Sequence, residues 1–257
     1  MIRSIANGLS THFRAFSLLA RNKEIRRLAW IPFLINLFLF LIGLPLAIWW
    51  GTGYVDRLFG EGGTWWVEAL SVVVQILVVL IVIVASFFLF TLIGVIIAGP
   101  FAGPLSETVE RYERERLGLP LGIAAGRGVV RDASRAILYA IGRLVLFLMI
   151  YPFIFLTQFI PVVGIFLHPI LAFFYASFVL SVDFSDPTLD RHIDRFRDKL
   201  AYVWNRKGTY FGFGGGAFLM MLVPFLNLAV IPVCVVGATM LYVENRKREE
   251  RELKIQN

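Results

Sequence analysis

The 257-residue chain has one cysteine, three histidines and few charged residues. With Cys234 alone, no intrachain disulfide and no thiolate metal cluster can form. The histidines at 12, 168 and 192 have no metal-ligand spacing, so we expect neither a metal nor a cofactor. Charged residues make up 17% of the chain, against about 25% in soluble domains. This composition excludes a disordered chain and a disulfide-rich secreted one.

Apolar residues are abundant instead, at 58% of the chain, and 24 residues are phenylalanine. Four long stretches lack Lys, Arg, Asp and Glu, and each exceeds the roughly 20 helical residues that cross a bilayer. They are 28–55, 69–106, 144–182 and 208–243. The pattern predicts an all-α, polytopic helical membrane protein with a single membrane domain over 1–257. A buried helix of a large soluble core is the alternative, which the length and repetition of the stretches disfavour.

The first two stretches differ from the last two. Residues 28–55 and 69–106 are predicted to be long transmembrane helices, flanked by tryptophans typical of membrane interfaces. Residues 144–182 and 208–243 are interrupted near their middles by Pro161 and Pro224, and proline ends or kinks a helix. Each is too short for two full crossings and a turn, yet basic segments flank it on both sides. We therefore expect two Pro-broken helical hairpins that penetrate the bilayer part way.

Charge distribution predicts the orientation. Residues 1–27 carry six basic and one acidic residue, whereas the loop 56–68 carries one basic and three acidic residues. By the positive-inside rule, we expect both termini to be cytoplasmic. We expect an amphipathic helix within 1–27, a short one within 183–207, and a charged tail at 244–257. The net charge of +7 comes from such flanks, so membrane lipids are expected partners and nucleic acid is not.

The best candidate binding site is Glu24-Ile25-Arg26-Arg27, immediately before the first crossing. Two arginines at a helix start combine fixed positive charge with unpaired backbone N–H groups and the positive end of the helix dipole. These features together form an anion site. The alternative is that the arginines only set topology and contact lipid headgroups.

The second candidate is Glu107, Glu110 and Arg114. Their spacing places them on one helix face at the membrane edge, where they could line a polar pore. The alternative is a solvated helix with surface salt bridges. No nucleophile–base pair, metal motif or phosphate-binding loop is visible, so an enzyme is not expected.

Several ordered motifs resemble one family. They are Arg26-Arg27-Leu28 leading into Ile31-Pro32-Phe33-Leu34-Ile35-Asn36, Gly99-Pro100-Phe101-Ala102-Gly103-Pro104-Leu105-Ser106-Glu107, Ile160-Pro161-Val162-Val163-Gly164, Gly212-Phe213-Gly214, Val223-Pro224-Phe225-Leu226-Asn227-Leu228 and Val236-Gly237-Ala238-Thr239. Taken together over most of the chain, they resemble the CysZ sulfate permeases of the etoposide-induced-protein superfamily. The resemblance implies a homo-oligomeric inner-membrane permease that imports sulfate for cysteine biosynthesis.

By position, Arg26 and Arg27 match the family arginines tied to sulfate, and Glu107, Glu110 and Arg114 match its charged ladder. The chain departs from the family at Glu24, where the family motif has glycine. A carboxylate there would repel sulfate or pair with one of the two arginines. The alternative functions are a non-transporting scaffold or lipid-organising protein, and transport of another anion.

Overall fold

The computed structural model describes residues 2–59, 64–120, 142 and 145–256, and within these ranges it contains helices and no strand. The all-α polytopic prediction is therefore confirmed. Part of the loop 56–68, the first residue of the hairpin 144–182 and Asn257 lie outside the described residues. The helices are α1 (Ile2–Arg21), α2 (Lys23–Phe59), α3 (Trp65–Leu117), α4 (145–156), α5 (Val163–His192), α6 (Phe196–Asn205), α7 (Lys207–Met221) and α8 (Pro224–Gln256).

Four of the described helical segments are long and apolar enough to cross a membrane. They are Leu37–Leu58, Trp65–Ser86, Val163–His192 and Ala229–Ile255. The first two belong to the predicted transmembrane helices, and the last two are arms of the predicted hairpins. Because α5 has 30 residues, it extends about 45 Å. Partial penetration of the hairpins therefore stays a prediction.

The helix breaks fall where proline predicted them. After α4, a short 3-10 turn at Thr157–Phe159 leads to Pro161, and α5 begins at Val163. In the second hairpin, α7 ends at Met221 and α8 begins at Pro224. Proline is favoured at the first position of a helix because its missing N–H has no partner to lose there. Pro169, Pro187 and Pro232 lie inside helices, so proline contributes to the two breaks but does not by itself fix them.

The charge-free stretches predicted where the apolar segments lie, but they did not predict where the helices end. α3 continues to Leu117, beyond 106, and α5 continues to His192, beyond 182. Within 183–207 only Phe196–Asn205 forms the predicted short separate helix. Glu and Arg are good helix formers, so a helix can leave the hydrocarbon without ending. The extended end of α5 is buried, and Thr188 shares a hydrogen bond of 2.7 Å with Thr239 of α8.

Glycine allows α7 to pack closely between α1 and α5. A Cβ atom added at Gly8 would lie 1.9 Å from the carbonyl oxygen of Thr209, and one at Gly214 would lie 1.7 Å from that of Ser177. Such approaches are possible only without a side chain, and small residues are typical of tight contacts between membrane helices. These backbone contacts hold α7 against α1 and against the middle of α5.

α1 is amphipathic, as the sequence predicts. Its packed face is mostly small or polar and comprises Gly8, Thr11, His12, Ala15 and Leu18. Its exposed face is apolar and comprises Ile2, Ile5, Leu9, Phe13 and Phe16. A helix with an exposed apolar face is typical of a membrane interface.

The chain divides into two compact units. One contains Met1–Ala29 and Ala102–Asn257, with its core on α1, α5, α7 and α8. The other is Trp30–Phe101, which holds the apolar parts of α2 and α3. Within this second unit Gln75 donates to Asp56 at 2.6 Å. A single membrane domain stays a prediction.

Candidate anion site

The candidate anion site lies in the first turn of α2. The side-chain oxygen of Asn22 accepts the backbone N–H groups of Glu24, at 3.0 Å, and Ile25, at 3.1 Å. The sequence-based expectation that these N–H groups are unpaired is therefore wrong, because asparagine is a preferred N-cap. The positive end of the helix dipole remains, and Ile25 is fully buried and anchors the turn.

The two arginines occupy different environments. Arg26 is half-buried, and its guanidinium donates to the Ala20 carbonyl near the end of α1 at 3.0 Å. Arg27 is exposed. Arg26 therefore ties α1 to α2, whereas Arg27 presents its guanidinium at the surface.

Glu24 does not pair with these arginines in the described part of the chain. Its carboxylate accepts a hydrogen bond from Arg111 of α3 at 2.8 Å. The side chain of Glu24 is 64% exposed and that of Arg111 is 49% exposed, so this ion pair contributes little to stability. It nevertheless directs the carboxylate to α3, and it brings the start of α2 to the charged end of α3.

Glu110 is the centre of a buried ionic cluster. Its side chain is fully buried and accepts hydrogen bonds from Arg114 at 2.9 Å and Arg191 at 2.8 Å. His192 lies 2.8 Å from the same carboxylate. A buried carboxylate needs such compensation, because desolvation of an unpaired charge is costly.

Further contacts hold the cluster partners in place. Arg191 also donates to the Ser106 hydroxyl at 2.6 Å and to the Pro187 carbonyl at 2.8 Å. Arg114 donates to the Pro120 carbonyl at 3.0 Å, and His192 stacks on Tyr242 with ring centroids 4.8 Å apart. The cluster thus joins α3, α5 and α8.

Sequence analysis missed Arg191 and His192. They lie 81 and 82 residues from Glu110 along the chain. Their position in the last turn of α5 is typical of basic residues at helix ends, but that signal names no partner.

The predicted pore-lining residues differ in their exposure to solvent. Glu107 is exposed, whereas Glu110 and Arg114 are buried in the cluster. The shared helix face therefore runs from the surface into the interior. A pore-lining role for the three residues stays a prediction, and Glu107 has the exposure that such a role requires.

The cluster also makes stability depend on pH. Burial disfavours the charged form of Glu110, but hydrogen bonds and positive charge from His192 and Arg191 outweigh this effect and lower its pKa from 4.5 to about 2. A carboxyl pKa that is lower in the folded state stabilises the fold above pH 4.5, and this contribution is lost as the pH falls from about 4.5 to about 2.

We therefore expect acidification from pH 6 to pH 2 to remove about 3 kcal/mol through Glu110. Thermal denaturation of the detergent-solubilised protein at both pH values, compared with Glu110→Gln, isolates this contribution. An equal acid sensitivity in the variant would contradict it.

Most of the chain is similar to known proteins. The family described as sulfate transporter CysZ/etoposide-induced protein 2.4 matches residues 11–232. A "Sulfate transporter CysZ" of Pseudomonas aeruginosa PAO1 is 31% identical over 89% of this chain and 91% of the relative. One from Pectobacterium atrosepticum is 30% identical over 86% of this chain and 78% of the relative. The match and the multi-pass helical fold agree, and the chain belongs to the sulfate transporter CysZ/etoposide-induced protein 2.4 family.

Proposed function

We propose that this chain transports sulfate across the bacterial inner membrane for cysteine biosynthesis, with Arg26 and Arg27 as its anion-binding residues. The relatives that match most of the chain are named sulfate transporters, and the fold is that of a multi-pass membrane protein. The observation that carries the arginine site is the contact between Glu24 and Arg111. This contact directs the only carboxylate of the motif towards α3, so that Glu24 does not compete with sulfate for Arg26 or Arg27.

A sulfate dianion needs compensation for the water it loses on entering a narrow path. Exposed Arg27 can meet the anion first, and its planar guanidinium can bind two sulfate oxygens at once. Arg26 and the positive end of α2 add to the local potential. Glu107 then lies along the polar path, while buried Glu110 and Arg114 keep the ends of α3 and α5 in register.

The same proposal includes cytoplasmic termini and a homo-oligomer. In the apolar parts of Leu37–Leu58 and Trp65–Ser86, only 6% of the residues are buried within the chain. Lipid or a second copy of the chain must cover such surfaces, since exposed apolar area of this extent is unfavourable in water.

Labelled-sulfate flux into proteoliposomes tests the proposal. We expect the wild type to exceed empty liposomes, and Arg26→Ala/Arg27→Ala to lower the rate about tenfold or more, because charge-assisted hydrogen bonds contribute roughly 1.5–3 kcal/mol each. The control is Arg195→Ala/Arg197→Ala, which removes the same charge from two exposed positions and should retain flux.

Two results would count against it. Undiminished flux in Arg26→Ala/Arg27→Ala would overturn the arginine site. No flux from folded wild-type protein would favour another anion or a non-transporting scaffold that organises lipid.

A further inference from the structure

A basic surface pocket lies away from the residues considered so far. It has a volume of about 340 Å³ and is formed by α1, the end of α3 and the extended part of α8. Its polar lining is Asn7, Arg14, Glu244, Lys247, Arg248 and Arg251. Pockets of this size accommodate small ligands.

The pocket carries excess positive charge. Four lining residues are basic and one is acidic, and the acidic one, Glu244, accepts a hydrogen bond from Arg14. Lys247 is held by the Leu117 carbonyl at 3.1 Å. Arg248 and Arg251 are exposed, so their guanidinium groups can turn towards a ligand. Guanidinium groups match tetrahedral oxyanions because each can donate two parallel hydrogen bonds.

α8 separates its charges between two faces. Glu244, Lys247, Arg248 and Arg251 follow the spacing of one helix face, which is the face that lines the pocket. Glu249 lies outside that face, where it accepts hydrogen bonds from Arg206 and Arg246. Glu249 is thus engaged outside the pocket, and Glu250 and Glu252, which flank Arg251, are also absent from the lining, so the lining keeps its excess of positive charge.

The position of the pocket around the axis of α1 indicates whether its ligand is dissolved in water or belongs to a lipid headgroup. At 100° per residue, Asn7 and Arg14 lie roughly 150° around the axis from the exposed apolar stripe that includes Leu9 and Phe16. If the stripe faces lipid, the pocket opens towards water. This arrangement favours a dissolved anion over a lipid headgroup.

We propose that this pocket is a second anion site, which binds a tetrahedral oxyanion such as sulfate or phosphate from the aqueous phase. It is separate from Arg26 and Arg27. The proposal holds whether or not the chain transports sulfate.

Binding of labelled sulfate and labelled phosphate to the purified protein at low salt tests the proposal. Arg26→Ala/Arg27→Ala serves as the background, so that the proposed transport site does not contribute. On this background we expect saturable binding, and a further Arg248→Ala/Arg251→Ala change should weaken it about tenfold or more. Adding Arg246→Ala instead, which removes a charge on the opposite face of α8, should leave binding unchanged.

The outcomes distinguish an oxyanion that is dissolved in water from one that belongs to a lipid headgroup. If sulfate and phosphate each bind equally well before and after the Arg248→Ala/Arg251→Ala change, the proposal is overturned. A second arm uses nanodiscs with and without phosphatidylglycerol. If Arg248→Ala/Arg251→Ala alters only the association with anionic lipid, the pocket is a headgroup site and the dissolved-anion proposal is wrong. Because both arginines are exposed, we expect the variants to remain monodisperse in size-exclusion chromatography.

Discussion

Replacing Glu110 with alanine is expected to lower the free energy of unfolding by about 3–5 kcal/mol. The substitution leaves Arg114, Arg191 and His192 without the carboxylate that they share, and Arg114 keeps only 8% side-chain exposure. Breaking a buried ionic cluster by removing one partner is costly because the remaining charge is desolvated and uncompensated. The loss should appear as a lower denaturation midpoint for protein heated in detergent.

Glu107→Ala is the matched control. It removes the same side chain from the same helix, but Glu107 is exposed, so we expect a change within about 0.5 kcal/mol. If the two variants lose equal stability, Glu110 does not hold the cluster together. Sulfate flux distinguishes the proposed roles further, since Glu107→Ala should alter flux without altering stability.

Gly214→Ala is expected to destabilise the fold by about 3 kcal/mol or more through overpacking. The added Cβ would lie 1.7 Å from the Ser177 carbonyl oxygen and 2.5 Å from the Ser181 hydroxyl. The first contact is with backbone and cannot be relieved by turning a side chain. α5 and α7 must therefore separate, and the yield of monodisperse protein in detergent should fall sharply.

Gly53→Ala provides the comparison for that variant. Nothing lies within 4 Å of a Cβ at this helical position, so alanine should be neutral or slightly stabilising. A normal yield and denaturation midpoint for Gly214→Ala would show that α5 and α7 do not pack this closely.

Much of the fold could be predicted because its signals are local. Hydropathy identified the apolar helices. The breaks lie at Pro161 and Pro224, near the middle of each stretch, although Pro169, Pro187 and Pro232 do not interrupt their helices. The arginine motif was also visible, because Arg26 and Arg27 are adjacent. The N-cap by Asn22 was equally local, and the type of residue immediately before the helix could have revealed it.

The ionic contacts between different helices were not predictable from spacing. A helix face shows which residues can approach a neighbour, but not which neighbour packs there or which side chains it presents. The sequence left open whether Glu24 would repel sulfate or pair with Arg26 or Arg27, and it did not reveal the contact with Arg111, 87 residues away. Spacing placed Glu110 on one helix face with Arg114, but it did not reveal Arg191 and His192, which lie 81 and 82 residues away and also contact its carboxylate.

The sequence by itself determined an all-α polytopic membrane protein, its apolar segments and the positions of its helix breaks. Hydrophobicity and backbone restrictions depend on residues that are close together in the sequence, so these properties can be predicted from single segments of the chain. Only the tertiary structure decided the partners of Glu24 and Glu110 and the basic pocket between α1 and α8. Those features depend on which helices pack together, and close backbone approach at residues such as Gly8 and Gly214 sets that packing.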